Sequence, residues 1–182
     1  GLILFITFIM IGTTFSFVFL GFSPVVEKVK YNEVSFTRYN NIWIAKINGR
    51  EAAFSFLPSE VESIFAFDDL SKLLQGKFEI DATYDLNSTY KESIALAQHQ
   101  MGLTLEQYNT FVRKGFTTNN SYNMPIITCD DAAQAVPVVY FRYGNSTKIN
   151  LNNTCVIAEA STNEGFVKVK DRILYGILGV MK

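Results

Sequence analysis

The chain has 182 residues, 48% of them hydrophobic, and 16 Lys and Arg set against 17 Asp and Glu for a formal net charge of −1. Charge so evenly balanced offers no basic face to a nucleic-acid backbone and no acidic tail, which sets nucleic-acid binding aside. Two cysteines and one histidine are too few for a convincing zinc site, and Cys129 and Cys155 do not form a CxxC pair.

Residues 1–26, GLILFITFIMIGTTFSFVFLGFSPVV, contain no Asp, Glu, Lys, Arg or His. As a helix, Gly1 to Phe22 would be roughly 33 Å long at about 1.5 Å per residue, enough to cross the hydrocarbon core of a bilayer. Leu2, Phe5, Phe8, Ile9, Phe15 and Phe19 leave such a helix without a polar face, so it needs lipid or other helices around it. The rest of the chain is too small to wrap it as a core helix. A secretory signal peptide fits poorly: there is no basic n-region, the apolar stretch is too long for an h-region, and no small-x-small site lies between Gly21 and Pro24. The expectation is a retained helix over 1–26, crossing a membrane or packed on copies of itself. Gly12, Thr13, Thr14 and Ser16 would let such helices approach closely.

This stretch starts at Gly1 with no basic residue ahead of it. A Gly-led apolar helix resembles the mature start of type IV pilins and archaeal flagellin-like subunits, where a basic leader is cut off just before it. Phe5 stands where bacterial pilins usually carry Glu, so the archaeal branch is the better match. The resemblance covers 1–26 and implies a homo-oligomer built through the N-terminal helix, inserted in a membrane before it assembles into an extracellular filament. Many heads of that branch are largely β, unlike the pattern that follows here. A chain boundary of no biological meaning would leave the same start.

Ser23-Pro24 breaks or kinks the helix, and Glu27-Lys28-Val29-Lys30 then reaches water and opens a head over 27–182. Lysines on this side oppose the positive-inside rule, a conflict that removal of a basic leader resolves. Asn48-Gly49, between IWIAKI and REAAFSFL, is a type I′ hairpin signal, and Asn40-Asn41 makes a second turn. Together they predict a three-stranded meander over 31–57. Alternation places Val34, Phe36, Trp43, Ala45, Ile47, Ala52, Phe54 and Phe56 on one face, with Lys46 opposite Glu51 on the other.

Residues 58–182 read as mixed α/β. Ser59 with Glu62 makes a capping box for a helix to Gln75, stopped by Gly76, and KFEIDATYD alternates as a strand. Asn87 or Ser88 caps a helix to Gln100; Thr104 with Gln107 restarts one to Lys114, and Gly115 ends it. MPIITC reads as a short buried strand, and VPVVYFRY with TKINLNNTCVIAEA as a long hairpin around Gly144-Asn145. Phe166, Val169, Ile173, Leu174, Ile177, Leu178 and Met181 make one apolar stripe on a C-terminal helix. The predicted fold class is α+β: a long N-terminal hydrophobic helix plus a globular head in which the three-stranded meander and a mixed α/β sheet layer share one core.

From Lys77 onward the order strand, helices, strand, hairpin, helix resembles the thioredoxin-like fold, and AVPVVYFRYGN, opened by Pro137, is similar to its proline-led strand. That fold's redox pair is missing: Leu86, Asn87, Ser88 and Thr89 stand where the CxxC would follow Asp85, so no catalytic residue is carried over. The topology would also place Cys129 and Cys155 on strands near opposite edges of the sheet, beyond disulfide reach. An exported chain with an even cysteine count instead defaults to a bonded pair, here closing about 26 residues and worth on the order of 3 kcal/mol. The two expectations test each other, unless Cys129 sits past its strand end. Two buried free thiols are the remaining possibility.

Asn-x-Ser/Thr acceptors for N-linked glycans occur at Asn87, Asn119, Asn145 and Asn152, all in stretches read as loops or turns, although Asn-rich turns alone give the same pattern. Asp81 and Asp85, Asp68-Asp69 and Asp130-Asp131 read as turn acids. The run from Asp85 lacks a calcium loop's glycine and terminal Glu, carrying Tyr90 and Leu96 instead. A lone His99, with no GxSxG and no phosphate-cradling glycine loop, supports no catalytic triad. No catalytic, cofactor or metal site is assigned. Two functions are expected: a structural subunit of a cell-surface filament with glycosylated heads outside, or a single-pass membrane protein with an extracytoplasmic binding or scaffolding head. An enzyme is a distant third.

Overall fold

The computed structural model describes residues 27–181. Four antiparallel strands, β1 (Lys28–Tyr31), β2 (Val34–Tyr39), β3 (Ile42–Ile47) and β4 (Arg50–Phe54), pair in chain order as one sheet. Asn32, Asn40 and Asn48 take left-handed φ of 49°, 54° and 50° in its three turns, and Gly49 follows at 82°. Asparagine and glycine reach that region at least cost, so the turns are written locally. The expected inner face is present: Phe36, Trp43, Ala45, Ile47, Ala52 and Phe54 are buried, Val34 and Phe56 pack beside them, and Lys46 faces Glu51 in register. The meander has one strand more than expected, the lysine-bearing edge strand β1, whose charges suit a sheet edge.

The single helix expected to Gln75 is three pieces: α1 (Pro58–Val61), β5 (Phe65–Ala66) and α2 (Leu70–Leu74). Its start is two residues earlier than Ser59 implied, with Leu57 at the cap, because the Glu60 carboxylate accepts the Leu57 N–H at 2.7 Å. β5 interrupts it by pairing with a strand far along the chain. The second sheet adds β6 (Glu79–Tyr84), β7 (Phe111–Phe116), β8 (Val138–Tyr143), β9 (Lys148–Asn152) and β10 (Cys155–Ala160), in the order β5-β9-β10-β8-β6-β7. β7, β6, β8 and β10 are parallel to one another, while β9 and β5, parallel to each other, run the opposite way.

Two helices, α3 (Lys91–Glu106) and α4 (Asn163–Ile177), complete the head. α3 is unbroken where a restart at Thr104 was expected; the Thr104 hydroxyl donates to the Ala53 carbonyl at 3.2 Å instead of capping. Residues 111–114, expected as helix, are strand β7. MPIITC contributes only a bridge between Ile126 and Phe116, followed by a short 3-10 turn at Cys129–Asp131. VPVVYFRY does not pair with TKINL: the hairpin is β9 to β10, turning at Asn153 with φ 55°, and β8 lies parallel on the far side of β10. β10 is buried along all six residues, so it needs a neighbour on each flank. The hairpin on which the thioredoxin-like resemblance rested is therefore absent.

The long N-terminal helix over 1–26, with Leu2, Phe5, Phe8, Ile9, Phe15 and Phe19, lies outside the described residues. Among the described residues no helix is long and apolar enough to cross a membrane; the longest, α3, has 16 residues. The expected fold class gives way to an α+β head of two sheets and four helices.

α4 is the centre of that head. Its residues 169–177 and the following Leu178 are all buried, where one apolar stripe was expected. Tyr175 stacks on Phe54 with ring centroids 4.3 Å apart and meets Phe36 edge-on at 6.0 Å, while the helix also packs on β10, so a sheet lies on either side of it. One hydrophobic core runs through both sheets. Lys170 and Asp171 are inside it as an ion pair. Asp171 accepts the N–H groups of Ser55 and Phe56, each at 2.9 Å, and Tyr175 donates its hydroxyl to the Phe56 carbonyl at 2.6 Å. Burial pushes the Asp171 carboxyl above its ordinary range against the pull of Lys170, and burial likewise raises the Tyr175 hydroxyl. These contacts weld the end of β4 to α4.

Candidate functional site

On the sheet face away from the helices, Cys129 and Cys155 are disulfide-bonded with Cα atoms 5.2 Å apart. Cys129 reaches its partner because it sits in the 3-10 turn, past any strand. The bond clamps the segment around Ile127 over a small second cluster with Val138 and Ile157, and the Thr83 hydroxyl donates to the Ile127 carbonyl at 2.7 Å beneath it. The Asp131 carboxyl is held below its ordinary range by the backbone N–H of Thr128, at 2.8 Å, and by that residue's hydroxyl at 3.0 Å. Two buried acids share this face, each neutralised in place. Arg113 grips Asp81 through both oxygens at 2.7 and 2.6 Å. Glu159 takes Arg142 at 2.6 Å, Lys148 at 3.4 Å and Asn150 at 3.3 Å. Burial alone would raise the Glu159 pKa, but Arg142 and Lys148 outweigh it and hold the carboxyl below the usual range.

Parallel sheets bind ligands outside the carboxyl ends of their strands, where the chain order switches sides. Here the switch falls between β6 and β8. Tyr90 lies across it, stacked on Tyr143 with parallel rings 5.8 Å apart, its hydroxyl donating to the Ser161 carbonyl at 2.8 Å. The loops around it carry Asn87, Asn119 and Asn145, while Asn152 is at the opposite end of the sheet on β9; all four side chains are exposed. Asp85, which the sequence left beside Asp81, accepts the Asn87 N–H at 2.9 Å as a turn acid, so the two aspartates do not converge. Lys72 pairs with Asp69 at 2.6 Å on the surface.

The open feature is a groove between α3 and β7, the free edge of the six-stranded sheet. Helix and strand run antiparallel, so the C-terminal half of α3 lies beside the start of β7. A cavity of about 430 Å³ there is lined by His99, Leu103, Glu106, Phe78 and Phe111, and one of about 540 Å³ at the other end by Glu92, Gln98, Phe116, Tyr122 and Met124. Lys114 lines both. The walls are apolar and exposed: Phe78 is 86% accessible, Phe111 64% and Leu103 54%. The Lys114 ammonium faces this groove without an acceptor among the described residues, and the Gln98 amide nitrogen, buried beneath the second cavity, has no hydrogen-bond partner among them either.

Sequence reasoning missed this groove because it took residues 104–114 as helix. The signal was present in Asn109, which turns the chain with φ 59°, and in the strand-like FVRKGF that follows. Of the residues singled out from sequence, only His99 belongs to the groove. Among the described residues no group of His, Cys, Asp and Glu gathers as metal ligands. No protein-family model, curated protein or solved structure matches this chain.

Proposed function

We propose that this chain is a cell-surface protein whose 27–182 head stands outside the cytoplasm and works by binding, held there by the uncharged 1–26 segment. The observation that carries this reading is the Cys129–Cys155 disulfide, which secures the cover of the outer sheet face. Such bonds persist in oxidising compartments and are rare where glutathione keeps thiols reduced. The exposure of Asn87, Asn119, Asn145 and Asn152 supports the same location, since an oligosaccharide needs an unobstructed amide. N-linked glycans on the loops at the carboxyl edge would leave most of the α3 and β7 flank bare. A second reading is favoured by the 1–26 segment itself: side chains so uniformly apolar would be covered equally well by copies of the same segment in a filament interior, as in the archaeal pilin-like subunits.

The test expresses the full chain in its secreting host and alkylates thiols before lysis. The expected result is no labelled cysteine until reduction, and a mass on glycosidase treatment that falls by whole glycans. Two labelled thiols in unreduced cells would refute the location. Electron microscopy of the surface fraction then separates the readings, fibres supporting the filament and single particles the anchored head.

A further inference from the structure

We propose that the groove between α3 and β7 is a docking site for an extended peptide segment of a partner protein, which adds to β7 as a seventh strand and carries one acidic side chain between apolar ones. The inference stands on the groove's own chemistry and does not depend on where the head is located.

The backbone comes first. In a parallel ladder alternate residues turn both N–H and C=O to the same side. The Phe111 N–H goes inward to the Phe78 carbonyl at 2.7 Å and the Thr117 N–H to the Tyr84 carbonyl at 3.0 Å, so Val112, Lys114 and Phe116 present their groups outward. Phe116 already uses them: its N–H donates to Pro125 at 3.0 Å and its carbonyl accepts from Ile127 at 2.8 Å. The protein itself therefore begins an edge strand at that point. It abandons the strand at once, because the Asn120 side chain accepts the N–H groups of Tyr122 and Met124, both at 3.1 Å, and folds the incoming chain into a loop. The outward groups of Val112 and Lys114 are left for another chain. β7 is about 20 Å long at roughly 3.3 Å per residue, which suits a segment of about six residues.

Side chains then select the occupant. An added strand points alternate residues toward α3, where the two basins flank Lys114. Apolar residues fit the basins. Between them stands the Lys114 ammonium, which lines both basins and has no acceptor among the described residues. A carboxylate at the middle position pairs with the Lys114 ammonium. Glu106 stands at one end of the groove and disfavours an acid there, while Lys91 and Glu92 offset each other at the other end, so Lys114 makes the centre the most favourable place for an acid. A second copy of this chain fits poorly through the same strand, since antiparallel pairing of two β7 strands about their middle would bring the Arg113 and Lys114 cations of one copy against those of the other.

The test uses the full chain kept soluble in detergent and three fluorescent hexapeptides with blocked ends. They alternate valine and phenylalanine around a central aspartate, asparagine or lysine. Fluorescence polarisation is expected to rank aspartate about tenfold tighter than asparagine, with lysine weakest. Lys114→Gln should erase the preference for aspartate over asparagine. Leu103→Asp, at an exposed position that leaves folding alone, should weaken the aspartate peptide by a similar factor. Hydrogen exchange at the Val112 and Lys114 amides should slow only with peptide bound. The proposal is overturned by equal binding of the aspartate and lysine peptides, by a preference that survives Lys114→Gln, or by unslowed exchange at Val112 and Lys114. Absence of binding at millimolar peptide overturns it too, as does competition by acetate alone, which would make the groove a small-carboxylate pocket. Self-association in sedimentation that Lys114→Gln abolishes would assign the edge to a second copy instead.

Discussion

Replacing Asp171 with Ala should be among the most destabilising single changes in this head. Asp171 is fully buried, Lys170 beside it is 1% accessible, and the Asp171 carboxylate takes two backbone N–H groups from the end of β4 at 2.9 Å. Alanine removes the counter-charge from a buried ammonium and the acceptor from two buried donors in one step. Breaking a buried pair from one side costs about 3–5 kcal/mol, chiefly through the charge left behind. At about 2–4 °C per kcal/mol for a chain of this size, the melting temperature falls by roughly 6–20 °C. Lys170→Met should cost less, because Asp171 keeps both backbone donors. The paired change Lys170→Met with Asp171→Asn should cost less than Asp171→Ala alone, since no charge remains and the amide oxygen still accepts an N–H. Urea unfolding followed by the fluorescence of Trp43, the one tryptophan and a core residue, measures all three. A loss under about 1 kcal/mol for Asp171→Ala, or a double variant as unstable as the sum of the singles, would refute the account of this pair.

Replacing both Cys129 and Cys155 with Ser should lower stability by about 3 kcal/mol from loop entropy and raise hydrogen exchange around Ile127 first; uniform exchange across the head would count against a local clamp. Glu159 has a folded pKa held below its ordinary value, so its contribution is complete above the unfolded value of about 4.3 and is lost as pH falls through the folded one. The melting temperatures of wild type and Glu159→Gln should therefore converge from about pH 5 downward, and a gap unchanged by acid would be inconsistent with this. At Gly115 an added methyl would lie 2.6 Å from the Pro125 carbonyl oxygen and 2.6 Å from the Ile127 side chain. Gly115→Ala should cost about 1–3 kcal/mol by levering that segment off β7, and a neutral melting curve would show that the segment yields freely.

How far the fold was readable follows from the distance over which each element is decided. The first sheet was legible because Asn40-Asn41 and Asn48-Gly49 set its register within a few residues and Phe36, Trp43 and Phe54 keep strict alternation. β7 was not. LEQYNT offers a helix restart locally, and what overrules it is remote: the Thr110 hydroxyl donates to the Lys77 carbonyl at 2.6 Å, and Phe111 joins the ladder at Phe78. The same holds at α4, where a Lys-Asp-Arg run looks solvated until a second sheet covers it and Ser55 and Phe56, more than a hundred positions away in sequence, supply the donors. β10 misled for a related reason. A central parallel strand carries no alternation, so CVIAEA contains no mark of which neighbour it takes, and the turn at Gly144 is as persuasive as the one at Asn153. The groove belongs with these cases. Lys114 and Leu103 signal nothing apart, and become a site only because β7, which the helix-like LEQYNT ahead of it disguises, ends the sheet beside α3. A feature that depends on an unpaired edge is legible only after the whole strand order is known.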